Sequence, residues 1–122
     1  MKILVVDDDE AVRTGLRCVL VSEGYEVRTA CNGREAVHDL AKSPADLVLV
    51  DMNMPVQNGW STIAGMRSLQ PHLPIIIITA RPDQLRAARA AGLELMEKPL
   101  DLPVLMERIS ALTSQAQKPA GV

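Results

Sequence analysis

Short apolar runs alternate along the chain with longer segments in which apolar residues recur every three or four positions. Continuous runs of Leu, Ile and Val are typical of strands buried on both faces of a parallel sheet, whereas the spacing of three and four indicates amphipathic helices. We predict strands at 3–6, 25–29, 47–50, 75–78 and 93–97. The second of these alternates polar and apolar residues, which predicts an outer strand with one solvated face.

A helix is predicted after each strand, because each following segment carries an apolar stripe at helical spacing. Gly24 supplies a left-handed residue that ends the first helix, and Asp101 caps the last one. The fourth helix, within 82–91, has the weakest stripe. The residues predicted to face the sheet are Val12, Leu16, Val19 and Leu20, then Ala36, Val37, Leu40 and Ala41, then Ile63, Met66 and Leu69, then Leu85 and Ala88, and finally Leu102, Leu105, Met106, Ile109 and Leu112. This alternation predicts a three-layer α/β domain with a parallel sheet and right-handed crossovers.

Charged and hydroxyl side chains follow several of the predicted strands. Asp51 ends the third strand, and the carboxyl edge of a parallel α/β sheet is where ligands bind. Asp is also common wherever a strand stops, so this position alone leaves a turn-capping role open. Asp7 and Asp8 follow the first strand, Thr79 the fourth and Lys98 the fifth, so all of them are predicted to reach the same edge.

This set of side chains suits phosphate chemistry. Three carboxylates held close together repel one another, and a hard divalent cation with oxygen ligands, best Mg²⁺, relieves that repulsion. Lys98 would add a compact positive charge for a phosphoryl oxygen or a carboxylate, and the Thr79 hydroxyl could donate to another oxygen. Asp51 is predicted to lie between the acids and the lysine, which makes it the candidate nucleophile toward phosphorus.

Length and charge narrow the class of protein. The 122 residues fit one domain, and a net charge of -2 with 13 scattered basic residues argues against direct nucleic-acid binding. No apolar run approaches membrane-spanning length and no signal peptide is apparent, so we expect a soluble, cytoplasmic protein without a membrane partner. Cys18 and Cys31 lack metal-ligand spacing and are interpreted as small buried hydrophobes without a disulfide.

The joint motif resembles the receiver domain of two-component response regulators, and the stand-alone chemotaxis regulators in particular. It consists of Asp7-Asp8, Asp51 with Met52-Asn53-Met54-Pro55 and Gly59, Thr79-Ala80 and Lys98-Pro99. The resemblance extends from Lys2 to about Leu112. It implies a flavodoxin-like doubly wound (βα)5 fold with strand order 2-1-3-4-5, a receiver domain over 1–113, and a flexible tail or the start of a linker over 114–122.

The resemblance also implies a role for each site residue. Asp51 would accept a phosphoryl group from a sensor histidine kinase or a histidine phosphotransfer protein. Mg²⁺, or Mn²⁺ in its place, would be held by Asp7, Asp8, Asp51 and the backbone carbonyl of Asn53. Thr79 would reorient toward the phosphoryl group, Lys98 would pair with it, and the Lys98–Pro99 bond would be cis.

As a receiver, the chain would be a phosphoacceptor switch rather than an enzyme. Its chemistry would be limited to its own phosphorylation and autodephosphorylation. Its output would go to a downstream effector domain or target protein, and a homodimer could form through the fourth helix, the fifth strand and the last helix. Two positions depart from the family pattern: Leu95 and Leu100 stand where many receivers carry aromatic residues. The residues that tune phosphoryl lifetime in the family are here Asn53 and Arg81.

Two other functions compete with this interpretation. A phosphatase of the haloacid dehalogenase type also uses an Asp after a buried strand, but it needs a second Asp two residues later. That position is Asn53, and the chain leaves no room for a cap domain. A degenerate receiver that acts only as an unphosphorylated interaction module is the other alternative, although all five functional side chains are present.

Overall fold

The computed structural model describes residues 1–51, 59–79, 89–90 and 93–117. Within them, strands and helices alternate as predicted. The strands are β1 (Lys2–Val6), β2 (Glu26–Ala30), β3 (Leu47–Asp51), β4 (Ile75–Thr79) and β5 (Glu94–Glu97). The helices are α1 (Glu10–Ser22), α2 (Gly33–Lys42), α3 (Gly59–Leu69) and α4 (Leu102–Gln117). Residues 89 and 90 are helical, and the rest of the helix predicted within 82–91 lies outside the described residues, together with Leu85 and Ala88.

The five strands form one parallel sheet in the order β2-β1-β3-β4-β5. This confirms the flavodoxin-like fold and strand order. β2 is an edge strand, as its alternating pattern predicts. The register aligns the carboxyl ends of the central strands, because Val6 pairs with Val50 and Asp51 pairs with Ile78. The residues that follow β1 and end β3 and β4 therefore meet at one edge of the sheet.

The core lies in two layers, one on each face of the sheet. Successive side chains of β1, β3 and β4 point to opposite faces, so each strand contributes to both layers. One layer joins Leu4, Val6, Val48, Val50 and Ile77 to buried residues of α2 and α3. The other joins Ile3, Val5, Leu47, Leu49 and Ile76 to buried residues of α1 and α4. Burial of each such side chain stabilises the fold by about 1.5 to 3 kcal/mol, which explains the almost purely aliphatic strands.

Of the predicted sheet-facing residues that the structure describes, most do face the sheet and three do not. Leu69 is 44% exposed, Leu102 is 39% exposed, and Ala41 is also exposed. All three lie in terminal turns of their helices, where a side chain has helical neighbours on only one side along the axis. The apolar spacing therefore predicts the buried stripe correctly in the helix interiors and extends it too far at the ends.

The structure confirms the predicted end of the first helix at Gly24 and the predicted cap of the last helix at Asp101. The Asp9 side chain caps α1 by accepting hydrogen bonds from the amides of Ala11 and Val12, and Gly24 after that helix has a φ of 94°. Asp101 accepts a bond from the amide of Val104, as predicted for the last helix. Both cysteines are free, but Cys18 is exposed and Cys31 partly exposed, so their predicted burial is wrong. In the described part of the chain, no helix has the length and apolar character needed to cross a membrane.

Candidate functional site

Asp7 and Asp51 are buried carboxylates at the carboxyl ends of adjacent strands. Asp51 is the last residue of β3 and is 4% exposed, while Asp7 directly follows β1 and is 3% exposed. The Asp7 amide donates to the carbonyl of Ala30, which extends the pairing of β1 with β2 by one residue. The same sheet that buries the aliphatic strands therefore carries two acids to its edge.

Asp8 joins these two acids in a cluster. Asp7, Asp8 and Asp51 each offer a carboxylate oxygen, and the three oxygens lie within 4.8 Å of one another. Asp8 is exposed, unlike the other two, so the cluster opens to solvent on its side. The structure thus brings together the three acids that the sequence places at this edge.

A hydrogen-bonded turn orients the acid pair that follows β1. The amide of Asp9 donates to Asp7 Oδ1 at 2.9 Å, and Asp9 Oδ1 in turn accepts from the Ala11 amide at 2.9 Å. On the other side, Arg13 Nη1 donates to the backbone carbonyl of Asp7 at 2.7 Å.

Arg13 belongs to none of the sequence motifs that predicted the site. Helical side chains lean toward the N-terminus of their helix, so an Arg in the second turn of α1 is placed to reach back to the end of β1. That geometry is the signal that could have identified it.

The pKa of Asp7 shows how strongly the cluster disfavours its own negative charge. Desolvation is the main cause, and it raises the pKa of Asp7 from 3.8 to about 6. The charge of Asp51 adds to the rise, while the Asp9 amide and the charge of Lys98 oppose it. Above that pH the cluster holds buried negative charge that lacks a full counter-charge.

Lys98 supplies the positive side of the site. Its Nζ lies 3.1 Å from Asp51 Oδ2, with the Asp51 side chain 5% exposed and the Lys98 side chain 34% exposed. The lysine is held in place by its own amide, which donates to the carbonyl of Thr79 at 2.8 Å. The Lys98–Pro99 bond is cis, which confirms the prediction. Thr79 is fully buried at the end of β4, next to β3, so it arrives at the same edge.

The donor set fits a hard divalent cation. Mg²⁺ takes carboxylate oxygens and commonly keeps several waters, so it suits a cluster of acids that is buried on one side and open on the other. The same charge would offset the desolvation and the repulsion from Asp51 that together raise the pKa of Asp7. Within the described residues, this is the cluster of three acidic, His or Cys side chains close enough to share a metal ion.

Comparison with protein-family models identifies the family to which the chain belongs. The model described as the response regulator receiver domain matches residues 3–110. The chain belongs to this family. The receiver match covers β1 to most of α4, and therefore every described residue of the site.

Individual receivers show how similar the chain is to known members. Response regulator MprA of Mycolicibacterium vanbaalenii is 40% identical over 117 residues, which cover 92% of this chain and 50% of MprA. PrrA, a transcriptional regulatory protein of Mycobacterium leprae, is 33% identical over 91% of this chain and 49% of its own length. The chain thus spans about half the length of these curated relatives.

Solved structures agree with the fold. Chemotaxis protein CheY4 of Vibrio cholerae has a TM-score of 0.83 and 31% identity, covering 91% of this chain and 97% of CheY4. Response regulator TrrA of Thermotoga maritima, solved in complex with Mg²⁺-BeF, has a TM-score of 0.83 and 32% identity with the same coverage.

The two positions that depart from the receiver pattern are aliphatic packing residues here. Leu95 in β5 is partly buried and packs against the core layer that holds α2 and α3, as does Trp60. Leu100 packs against the opposite layer. The remaining predicted contributors, Asn53 and Arg81, lie outside the described residues, as do Met52, Met54, Pro55 and Ala80.

Proposed function

We propose that Asp51 is the phosphoacceptor of this receiver and that Mg²⁺, or Mn²⁺, binds at the acid cluster. One observation carries the proposal: a buried carboxylate at a strand end has an ammonium group 3.1 Å away and shares a cluster with two further acids. TrrA, which has the same fold, was solved in complex with Mg²⁺-BeF, and this supports Mg²⁺ as the ion. Asp7, Asp8 and Asp51 would hold the ion, with the Asn53 carbonyl as the predicted fourth protein ligand.

The chemistry follows from these positions. A carboxylate oxygen of Asp51 attacks phosphorus in line with the leaving group, a P–O bond forms, and the bond from phosphorus to the donor breaks. With phosphohistidine as the donor, the imidazole nitrogen leaves with the electron pair of the P–N bond. The metal would supply positive charge for the phosphoryl oxygens. Lys98, which pairs with Asp51 beforehand, would then pair with a phosphoryl oxygen.

Thr79 is proposed to respond to the negative charge of the phosphoryl group. Its position at the end of β4 would allow its hydroxyl to move toward the phosphoryl group and donate to one of its oxygens. That movement would shift the equilibrium between two conformations of the protein surface. Because β5 carries Leu95 rather than an aromatic residue, any coupled movement would repack an aliphatic side chain. The surface affected would include the helix predicted within 82–91, β5 and the last helix, α4, and through this surface the chain could also form a homodimer.

The proposed role is signalling rather than substrate turnover. The phosphoryl donor would be a sensor histidine kinase or a histidine phosphotransfer protein in the cytoplasm, and the output would be an effector domain or a target protein. The self-phosphorylation and hydrolysis at Asp51 set the lifetime of the signal.

Intact mass spectrometry tests the proposal. Incubation with acetyl phosphate and Mg²⁺ is expected to add one phosphoryl group, and Asp51→Asn is expected to abolish it. Asp46→Asn is the matched control, because Asp46 is an exposed carboxylate that precedes the same strand at its other end. The absence of an adduct in the unmodified protein, or an adduct that survives Asp51→Asn, would contradict the proposal.

A further inference from the structure

Arg13 makes a contact that the proposed phosphoacceptor chemistry does not use. Its side chain extends from α1 back to the end of β1, where Nη1 donates to the Asp7 backbone carbonyl at 2.7 Å. Arg13 is only partly exposed, so this bond is sheltered from competing water. A hydrogen bond from a charged donor to a partly buried carbonyl is among the stronger ones in a protein.

The carbonyl that Arg13 holds belongs to the peptide unit between Asp7 and Asp8. That unit is planar, so fixing the Asp7 oxygen also fixes the direction of the Asp8 amide and the position of the Asp8 Cα. The other restraint on this turn is the bond from the Asp9 amide to Asp7 Oδ1. Together the two bonds restrain the turn from Asp7 to Asp9.

Asp8 depends on this backbone restraint more than the other two acids do. It is exposed, and across the described residues no hydrogen bond to its side chain is found. Asp7 and Asp51, in contrast, are buried and held by hydrogen bonds or an ion pair. The position of the Asp8 carboxylate therefore follows from the orientation of its backbone.

We propose that Arg13 is a positioning residue for the metal site: by holding the Asp7 carbonyl, it sets the orientation from which Asp8 reaches the ion. This rests on the proposed function, because it assumes that Mg²⁺ binds at the acid cluster. Arg13 itself carries no metal-binding atom, so its effect passes through the backbone of Asp7 and Asp8.

The positive charge of Arg13 would weaken Mg²⁺ binding, whereas its positioning of the Asp7 carbonyl would strengthen it. The two effects can therefore be distinguished by experiment. A guanidinium near a cation site repels the ion, so loss of the charge alone would strengthen Mg²⁺ binding. Arg13 also interacts electrostatically with Glu35. The pKa of Glu35 is lowered mainly by the hydrogen bond from the Cys31 thiol and further by the charge of Arg13. A weaker Mg²⁺ affinity after removal of Arg13 would therefore report lost positioning rather than lost charge.

The experiment is a Mg²⁺ titration of chelator-treated protein, followed by emission of Trp60, the single tryptophan, and by calorimetry. Arg13→Met removes the donors and the charge, and we expect it to raise the half-saturating Mg²⁺ concentration about three- to ten-fold, the range of one lost hydrogen bond. Arg17→Met is the matched control, because Arg17 is an exposed arginine on the same helix. It should titrate like the unmodified protein.

Two further measurements separate positioning from a general loss of structure. Arg13→Lys keeps the charge and a donor and should recover part of the affinity. In phosphorylation by acetyl phosphate, Arg13→Met should shift the Mg²⁺ dependence more than the maximal rate. The urea midpoint of each variant in chelator shows whether it folds. If Arg13→Met does not, Arg13→Gln, which is also neutral and too short to reach the carbonyl, replaces it.

The outcomes distinguish failure of the metal site from failure of the positioning role. If the unmodified protein shows no Mg²⁺ response by either readout, the proposed metal site is wrong. If it responds and Arg13→Met binds Mg²⁺ as tightly as Arg17→Met, or more tightly, the positioning role of Arg13 is wrong while the metal site stands.

Discussion

Asp7 and Asp51 are buried carboxylates at the carboxyl ends of adjacent strands, and Lys98 pairs with Asp51 at 3.1 Å. One ammonium group, itself partly in solvent, does not balance three clustered acids. The pKa of Asp7 is raised mainly by desolvation and further by the charge of Asp51. At the residue scale the site is thus built with an excess of negative charge. Such an excess costs stability in the free protein and favours a cation that binds there.

The pH dependence of stability tests this excess charge. Because the pKa of Asp7 is about 6 in the folded protein against 3.8 ordinarily, the native state binds more protons between these values. In chelator, the contribution of Asp7 to the free energy of unfolding should therefore fall as pH rises from about 4 to 6, by on the order of 2 to 3 kcal/mol. Asp7→Asn, whose amide oxygen can still accept from Asp9, should remove this fall.

Urea unfolding of both proteins at several pH values provides the measurement. Asp7→Asn should be the more stable protein at pH 7 and nearly equal to the unmodified protein at pH 4. If the difference in free energy of unfolding between Asp7→Asn and the unmodified protein does not change across this range, the pKa of Asp7 is not raised by folding.

Lys98 is expected to affect phosphorylation and metal binding in opposite directions. Lys98→Met removes the charge that would pair with a phosphoryl oxygen, so labelling by acetyl phosphate should slow about ten-fold or more. The same change removes a positive charge beside the acid cluster, so Mg²⁺ should bind at least as tightly. Mass spectrometry and calorimetry measure the two effects. Lys42→Met, at an exposed lysine in α2, should change neither, and parallel losses in Lys98→Met would instead indicate misfolding.

At the scale of elements, the helices differ in how closely they approach their neighbours. Gly15 in α1 has open space where a Cβ would be, whereas a Cβ on Gly65 in α3 would lie 3.0 Å from a γ-methyl of Val37 in α2. An added methyl group would therefore meet a neighbour at Gly65 but not at Gly15. Gly65 allows α2 and α3 to pack closely, whereas no described residue lies within 4 Å of the position that a Cβ on Gly15 would take.

Alanine substitutions separate these two cases. Gly15→Ala should raise the free energy of unfolding by about 0.5 to 1 kcal/mol, because Ala restricts the unfolded chain and suits a helix interior. Gly65→Ala gains the same helix propensity but must displace Val37, so it should be less favourable than Gly15→Ala. Urea unfolding measures both, and equal gains would show that the α2–α3 contact yields without cost.

For the whole molecule, metal binding and folding should be linked. An ion that binds only the native state stabilises it by about 2.7 kcal/mol when present at 100 times its dissociation constant. Mg²⁺ should therefore raise the melting temperature and alter Trp60 emission. Asp8→Ala should remove both responses, because Asp8 belongs to the acid cluster. The control is Asp46→Ala, at an acid outside the cluster; an unchanged Mg²⁺ response in Asp8→Ala would contradict the predicted ligand set.

Sequence patterns predicted the elements well because each depends on local periodicity. The run Ile75 to Ile78 is confirmed as a buried central strand, and the alternating run at β2 as an edge strand. The same rule failed for Leu69 and Leu102, since periodicity shows which side a residue faces but not where the neighbouring layer ends. The predicted burial of Cys18 was wrong for a related reason, because the apolar character of a cysteine does not show which face of α1 it occupies.

By itself the sequence determined the alternation of strands and helices, and with it the arrival of Asp7, Asp8, Asp51, Thr79 and Lys98 at one edge of a parallel sheet. That much follows from local spacing, because parallel strands with crossover helices must end on the same side. Tertiary structure alone decided the distances within the cluster, the burial that raises the pKa of Asp7, and the bond from Arg13 to the Asp7 carbonyl. These depend on how far strands are offset and where a helix lies over a strand end, and neither quantity is encoded in any single segment.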